Sequence, residues 1–427
     1  MRPCSRLMPP HWKNSRTCWP STAKPEVIAM SATYHFQTVK HVLHGPGSLD
    51  LLSEKLPLLD VPVKSVILVT QNAMHNLGVT QRVTKQLSAQ NIRVHMLDNV
   101  EIEPTLENIE RVFREDVAPH APDALIAIGG GCVLDAAKLF AVMLTNDTPL
   151  RDLLGIDKVT HPGKPMVLVP TTSGTGSEVT PNAIVTLPDE ELKIGVVSRH
   201  LLPTLVILDP LLTLSLPRPI TAATGMDAFT HSLESFISTK ANPISDAFAL
   251  ESMRLIAGSI VEAWQQPESV RARGDMLLGS MYGGLALTAA GTAAVHALAY
   301  PLGGKFHVTH GVANAMLLPH VMAFNLDSCA ERLKRAALVC GVAQQDDSNE
   351  TAAHKLIEQI RQWTQVLNIP QNLREFGVAE EHLADMAVAA SKVTRLMTNN
   401  PKVLSLDDIQ QLYRCLLPCA APNFRAC

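Results

Sequence analysis

Between Tyr34 and Pro217, short apolar runs rich in β-branched residues alternate with amphipathic stretches, and after Pro219 such runs stop. No other feature of the chain restricts its fold so tightly. The runs at 66–70, 94–97, 124–128, 166–169 and 205–208 are four or five residues long and almost wholly apolar. A strand with one wet face would alternate polar and apolar residues, so these runs suit strands covered on both faces. Amphipathic helices are expected between them, as at 80–90 and 106–117. That alternation predicts a parallel sheet with helices on both sides. Beyond Pro219 only helices are expected, at 224–239, 245–265, 270–287, 328–342, 349–367, 380–388 and 406–417. The expected fold class is therefore an α/β N-terminal domain (30–217) followed by an all-α C-terminal domain (218–427). The cleft between them is the default ligand site.

Composition narrows the function classes. The chain has 427 residues, is 46% apolar and carries a net charge of −4. Its acids and bases are interspersed, so no basic stripe points to nucleic acid. The eight cysteines lie without the paired spacing of a zinc ribbon, and in a chain this long they do not form a disulfide framework. A reducing, cytoplasmic location is the corresponding expectation. From Asp275 to Lys305 there are 29 intervening residues with no Lys, Arg, Asp or Glu, long enough to span a bilayer. They include Gly279, Gly283, Gly284, Gly291, His296 and Pro301, so the expectation is a helix or helix pair buried in a soluble domain, with no membrane partner.

The first 29 residues hold two of the four Trp, five Pro and no acid before Glu26. Those prolines spoil the amphipathic helix of a transit peptide. Met30 followed by Ser-Ala-Thr reads as a natural start, leaving 1–29 as a disordered extension or the product of a mis-set start codon.

The run at 124–128 leads directly into Gly129-Gly130-Gly131 and then Cys132. A strand ending in glycines that open a helix lets backbone N–H groups approach a phosphate, and the helix N-terminus favours the negative charge. The same pattern also makes a plain tight turn. A second turn follows 166–169: Pro170-Thr171-Thr172-Ser173-Gly174-Thr175-Gly176-Ser177-Glu178, with five hydroxyl side chains within eight residues. Both turns fall at the carboxyl ends of strands, where open parallel sheets bind ligands. Together they indicate a nucleotide site. A third turn, Gly45-Pro46-Gly47, could line the same cleft or be a plain corner. The acid that usually accepts the adenosine ribose hydroxyls is missing, because Gln71 and Asn72 end the 66–70 run. NAD and NADP both stay open.

In the helical half, Asp227 and His231 are four apart and would share one helix face. His296 lies inside the apolar stretch, and His310 follows it. One carboxylate and three imidazoles suit Fe(II), Zn(II) or Mn(II), and the absence of thiolate speaks against a closed structural zinc site. By spacing alone, each also has a plainer reading as a surface pair, a core histidine or a turn residue.

These motifs, in this order, resemble the iron-containing (group III) alcohol dehydrogenases from about Gly45 to Leu412. The marks are Gly129–Gly131 with Asp135 and Lys138, Pro170-Thr171-Thr172, and Gly174 to Thr180. They continue with Thr224-Gly225-Met226-Asp227-Ala228 and His231, then His296, His310-Gly311-Val312-Ala313-Asn314-Ala315 and Leu317-Leu318-Pro319. The resemblance implies a Rossmann-like N-terminal domain and a helical metal domain, the architecture shared with dehydroquinate synthase. It places Asp227, His231, His296 and His310 on the metal-ligand positions, with iron the expected ion and zinc or manganese the alternatives. Gln71, Gly129, Gly130, Gly131, Cys132, Asp135, Thr171, Thr172, Thr175 and Lys193 fall at the cofactor, and Asn182 at the reacting end of the cleft. Tyr300 stands where many members carry a second histidine, so the proton relay falls to Tyr300 or His307.

The activity so implied is hydride transfer between a metal-bound alkoxide and nicotinamide, with a small alcohol or aldehyde as substrate and a homodimer or larger homo-oligomer as the assembly. A polyol dehydrogenase or a hydroxyacid–oxoacid transhydrogenase would use the same scaffold. Dehydroquinate synthase chemistry would call for Lys and Arg around the ligands, and the segments 227–231 and 296–310 carry only Lys305. A non-catalytic protein would have no reason to keep the ligands and both turns.

Overall fold

The computed structural model describes residues 33–101, 103–188 and 192–417. The extension at 1–29 lies outside the described residues. Six parallel strands form the main sheet in the order β1-β9-β6-β4-β2-β3. Here β1 is His41–His44, β2 Ser65–Val69, β3 Arg93–Leu97, β4 Ala124–Gly129, β6 Met166–Pro170 and β9 Leu205–Leu208. The five expected runs are all strands within a residue or so. Their alternating side chains enter two different cores. Ile67, Val69, Leu125, Ala127 and Leu168 join one, while Val66, Leu68, Ile126, Ile128 and Val169 join the other. Double coverage is thus the reason for the unbroken apolar runs.

Three strands form a smaller sheet that sequence reading did not anticipate. In it β5 (Gly155–Ile156) pairs with β8 (Leu192–Val197), which runs antiparallel to β7 (Asn182–Leu187). Along β7 burial alternates residue by residue, the period of a strand with one wet face. Edge strand β1 was missed for the same reason: its burial alternates too.

Chain order and spatial order part company between β2 and β4. From β2 the chain steps outward to β3, then returns to the other side of β2 as β4. That switch opens a crevice at the carboxyl ends of β2 and β4, where Gln71 and Gly129–Gly131 stand. The Thr70 hydroxyl donates to the Ile128 carbonyl at 3.1 Å and ties the two strand ends together. The turn at Gly45–Gly47 is a structural corner. Asp209, fully buried, accepts N–H bonds from Gly47, Leu49 and Leu211 at 3.0–3.1 Å.

Beyond β9 the described chain is helical. Arg218–Ile237 starts six residues before the expected 224, because Pro219 fits the first turn, where a missing N–H costs nothing. Pro243–Gln265, Val270–Ala290, Asn349–Val366, Leu383–Ser391 and Leu406–Arg414 lie close to their expected positions. The helix expected at 328–342 is the second part of a longer one, His310–Val339, broken at Cys329 (φ −144°). At 106–117 the helix Leu106–Val112 widens into a π turn over Phe113–Val117. The charge-free stretch lies within a largely buried helix pair, Val270–Ala290 and Ala294–Phe306, bent by 107°. Among the described residues no single helix is long and apolar enough to cross a membrane.

Candidate metal centre

Asp227 and His231 lie one turn apart on Arg218–Ile237, both buried. His296 stands in the first turn of Ala294–Phe306, and His310 opens His310–Val339. Their ligand atoms all lie within 4.8 Å of one another. Asp227 Oδ1 is 3.9 Å from Nε2 of His231, 3.9 Å from that of His296 and 3.7 Å from that of His310. The glycine after His310 permits this approach. A Cβ at Gly311 would sit 2.2 Å from the Ala223 carbonyl oxygen and 3.3 Å from Asp227 Cβ.

Hydrogen bonds on the outer nitrogens orient the rings. His296 Nδ1 lies 2.6 Å from Glu234 Oε2, and His231 Nδ1 lies 3.2 Å from the Gly174 carbonyl. A carbonyl only accepts, so His231 carries a proton on Nδ1 and, as the neutral ring, turns the Nε2 lone pair inward. Glu234 as a carboxylate imposes the same tautomer on His296. Burial and the two neighbouring imidazoles hold His296 well below the usual histidine range. Burial works to raise the Asp227 carboxyl, but the imidazoles and the Asn314 amide outweigh it and bring it below the usual value. One anionic oxygen and bare imidazole nitrogens, converging in a buried space, fit a divalent ion of the iron, zinc or manganese kind.

Glu234 is the residue that sequence reading missed. Fully buried, it accepts from the backbone N–H of Ala293 (3.0 Å), Val295 (2.6 Å) and His296 (3.4 Å) as well as from the His296 ring. Burial pushes its pKa up to about 7, against the pull of these donors. Its signal was present: positions 227, 231 and 234 follow the helical repeat of one face.

The glycine turns converge from the other side. Gly130 opens Gly131–Met143 in extended conformation, and no side chain caps that helix, so its first N–H groups are open to an anion. Cys132 is half-buried in its first turn. A Cβ at Gly130 would lie 3.7 Å from Thr172, and one at Gly131 would lie 2.9 Å from Thr175. Thr171 is buried, its N–H bonded to the Gly129 carbonyl at 2.9 Å. The second turn therefore faces the first and, through Gly174, touches His231.

Other expected residues have protein partners. Asp135 accepts from the Ser177 hydroxyl and, at 3.0 Å, from the Ile184 N–H, and it lies 3.4 Å from Lys138 Nζ. The fully buried Lys138 donates to Ser177 Oγ (2.9 Å) and to the Asn182 carbonyl (2.8 Å). This pair fastens the two turns and the start of β7 together. Lys193, on β8, is paired with Glu103 at 2.8 Å. Tyr300 has its ring 6.3 Å from that of His310. Burial raises its phenol, and the Arg395 guanidinium, which donates to it, pulls it back. His307 is exposed in a left-handed conformation (φ 54°) at the end of its helix and is not among the residues that close the cage.

A buried metal cage bonded to one of two facing glycine turns marks the class: a metal-assisted enzyme working with a nucleotide cofactor. Comparison with known proteins agrees. Residues 40–210 match the family model for iron-containing alcohol dehydrogenase, and 221–417 match the C-terminal model of the Fe-containing alcohol dehydrogenase family. The long-chain-alcohol dehydrogenase 1 of Geobacillus thermodenitrificans is 38% identical, over 88% of this chain and 95% of that one. A solved 1,3-propanediol oxidoreductase superimposes with a TM-score of 0.85 at 34% identity, covering 90% of this chain and all of its own. Sulfoacetaldehyde reductase from Bifidobacterium kashiwanohense, solved in complex with NAD+, gives 0.82 at 25% identity, covering 91% of this chain and 100% of that one. The chain belongs to the iron-containing alcohol dehydrogenase family. It is an NAD(P)-linked oxidoreductase acting on CH–OH groups.

Glu234 generates a prediction. In Glu234→Gln the new amide NH2 must face either backbone N–H groups or the His296 Nδ1–H, donor against donor. Metal affinity should fall about 10- to 100-fold, measured by competition with a chromophoric chelator. Unchanged affinity would show that Glu234 serves only as a helix cap.

Proposed function

We propose that this chain is a metal-dependent, NAD(P)-linked alcohol dehydrogenase that reduces aldehydes in the reverse direction. Asp227, His231, His296 and His310 hold the ion, iron first, with zinc and manganese as alternatives. The observation that carries this reading is the bond between Gly174 and His231, which joins the cage to the turn facing Gly129–Gly131. In this reading the pyrophosphate lies on the open N-terminus of Gly131–Met143, beside Cys132, Thr171, Thr172 and Thr175. The adenosine end reaches Gln71, and the nicotinamide end lies towards Lys193 and Asn182. Such an ion, once held, is a Lewis acid that lowers the pKa of an alcohol hydroxyl. The chain itself keeps Asp227 anionic, turns bare nitrogens inward, excludes water by burial and brings the cofactor turn to the cage. Tyr300, its ring beside that of His310, is the group that exchanges a proton with the reacting oxygen. A cytoplasmic homodimer or larger homo-oligomer is part of the same proposal.

Asp227→Ala and His296→Ala should each lose both bound metal and turnover, read by elemental analysis and by nicotinamide absorbance with a panel of aldehydes. Full activity in the chelator-stripped protein would defeat the metal reading. Because Gln71 puts no charge against a 2′-phosphate, kcat/KM for NADP should come within about tenfold of that for NAD; a preference beyond a hundredfold for NAD would overturn this. Replacing Tyr300 by Phe should lower kcat and flatten its pH profile more than His307→Ala does. Unchanged turnover in both variants ends the idea of a relay at either residue.

A further inference from the structure

Asn314 follows His310 by one helical turn and is fully buried. Its Nδ2 lies 2.7 Å from Asp227 Oδ1, 3.2 Å from His296 Nε2 and 3.2 Å from His310 Nε2. One amide nitrogen thus stands against three of the four cage atoms, and its shortest contact is to the carboxylate oxygen, which has lone pairs to spare for a further bond. The opposite orientation is excluded by charge: it would set the amide oxygen 2.7 Å from a carboxylate oxygen. Fixing the NH2 group on the cage leaves Oδ1 buried with no hydrogen-bond partner among the described residues. A buried orphan acceptor is costly, so the side chain is held here by what its nitrogen does.

We infer that Asn314 is a positioning residue of the metal cage, its amide N–H donating to Asp227 Oδ1 and so fixing the orientation of that carboxylate. Glu234 and Gly174 fix two rings from outside, through their Nδ1 atoms. His310 has the most exposed side chain of the four, at 36%, and has no outer anchor among the described residues. The close packing at Gly311 places its backbone. Asp227 likewise accepts from no backbone N–H or hydroxyl among the described residues, and Asn314 is its one neutral donor.

The inference rests on the reading of these residues as a metal cage, and the test separates the two. Co(II) is added to chelator-stripped wild-type protein, and its affinity and visible ligand-field spectrum are recorded. Absence of Co(II) binding by the wild type would defeat the cage itself. Asn314→Leu keeps the volume and removes both donors; a fall of about 10- to 100-fold in Co(II) affinity with an altered spectrum is expected. Wild-type affinity and spectrum in this variant would overturn the role of Asn314 and leave the cage standing. Should Asn314→Leu fail to fold, a second variant decides. The smaller Asn314→Ala also removes the donor to Asp227, and Co(II) should then raise the melting temperature by less than it does in the wild type. An equal rise in variant and wild type would overturn the inference.

Discussion

The Glu234 carboxylate is the interaction on which the helical half is organised. Helix Ala294–Phe306 begins after a bend of 107°, and its N-cap residue, Ala293, offers no side chain to its first N–H groups. Glu234 supplies that cap from the neighbouring helix. A helix start buried without partners would cost several kcal/mol, so this carboxylate is what lets an apolar segment of membrane-spanning length fold back inside the protein. The same oxygen that caps the helix takes the His296 ring proton. Chain reversal and ligand orientation are therefore one interaction.

Contact between the halves is made at the glycines of the second turn. A Cβ at Gly176 would lie 2.6 Å from Gly284 Cα, and one at Gly174 would lie 2.7 Å from the Thr224 side chain. In the sequence these glycines read as room for a phosphate. The structure gives them a second duty, backbone against helix, which brings the Gly174 carbonyl within reach of His231. The glycine turn and the cage are consequently held side by side.

Much of this was legible because it follows from periodicity and from residue chemistry. Runs buried on both faces announced the parallel sheet, and the ligand types at 227, 231, 296 and 310 announced the cage once the ordered motifs were recognised. The β7–β8 hairpin was not legible, since a half-wet strand carries a weaker signal than a buried one. Partner choice was illegible as well. Asp135 and Lys138 sit in a cofactor motif, yet only the fold shows that Ser177, Ile184 and Asn182 take up their polar atoms. Asn314 lay unremarked inside a motif used for recognition, because nothing in its spacing reveals which way an amide faces.

The buried charges divide by how they are compensated, and that division separates scaffold from site. Lys138 is fully buried, but an acid, two hydroxyls and a carbonyl surround its ammonium. Its compensation is complete within the protein, which is the mark of a staple. Glu178 is equally buried and is pushed up by burial to about 7, so it sheds much of its charge instead. Asp227 takes neither course. It is held below the usual carboxylate range, yet among the described residues its ion-pair partners are the three histidines alone. Two of those have their ring protons directed outward to Glu234 and Gly174. A carboxylate oxygen and imidazole nitrogens that converge on one buried point, with two ring protons turned outward, are the donor set that a divalent ion completes.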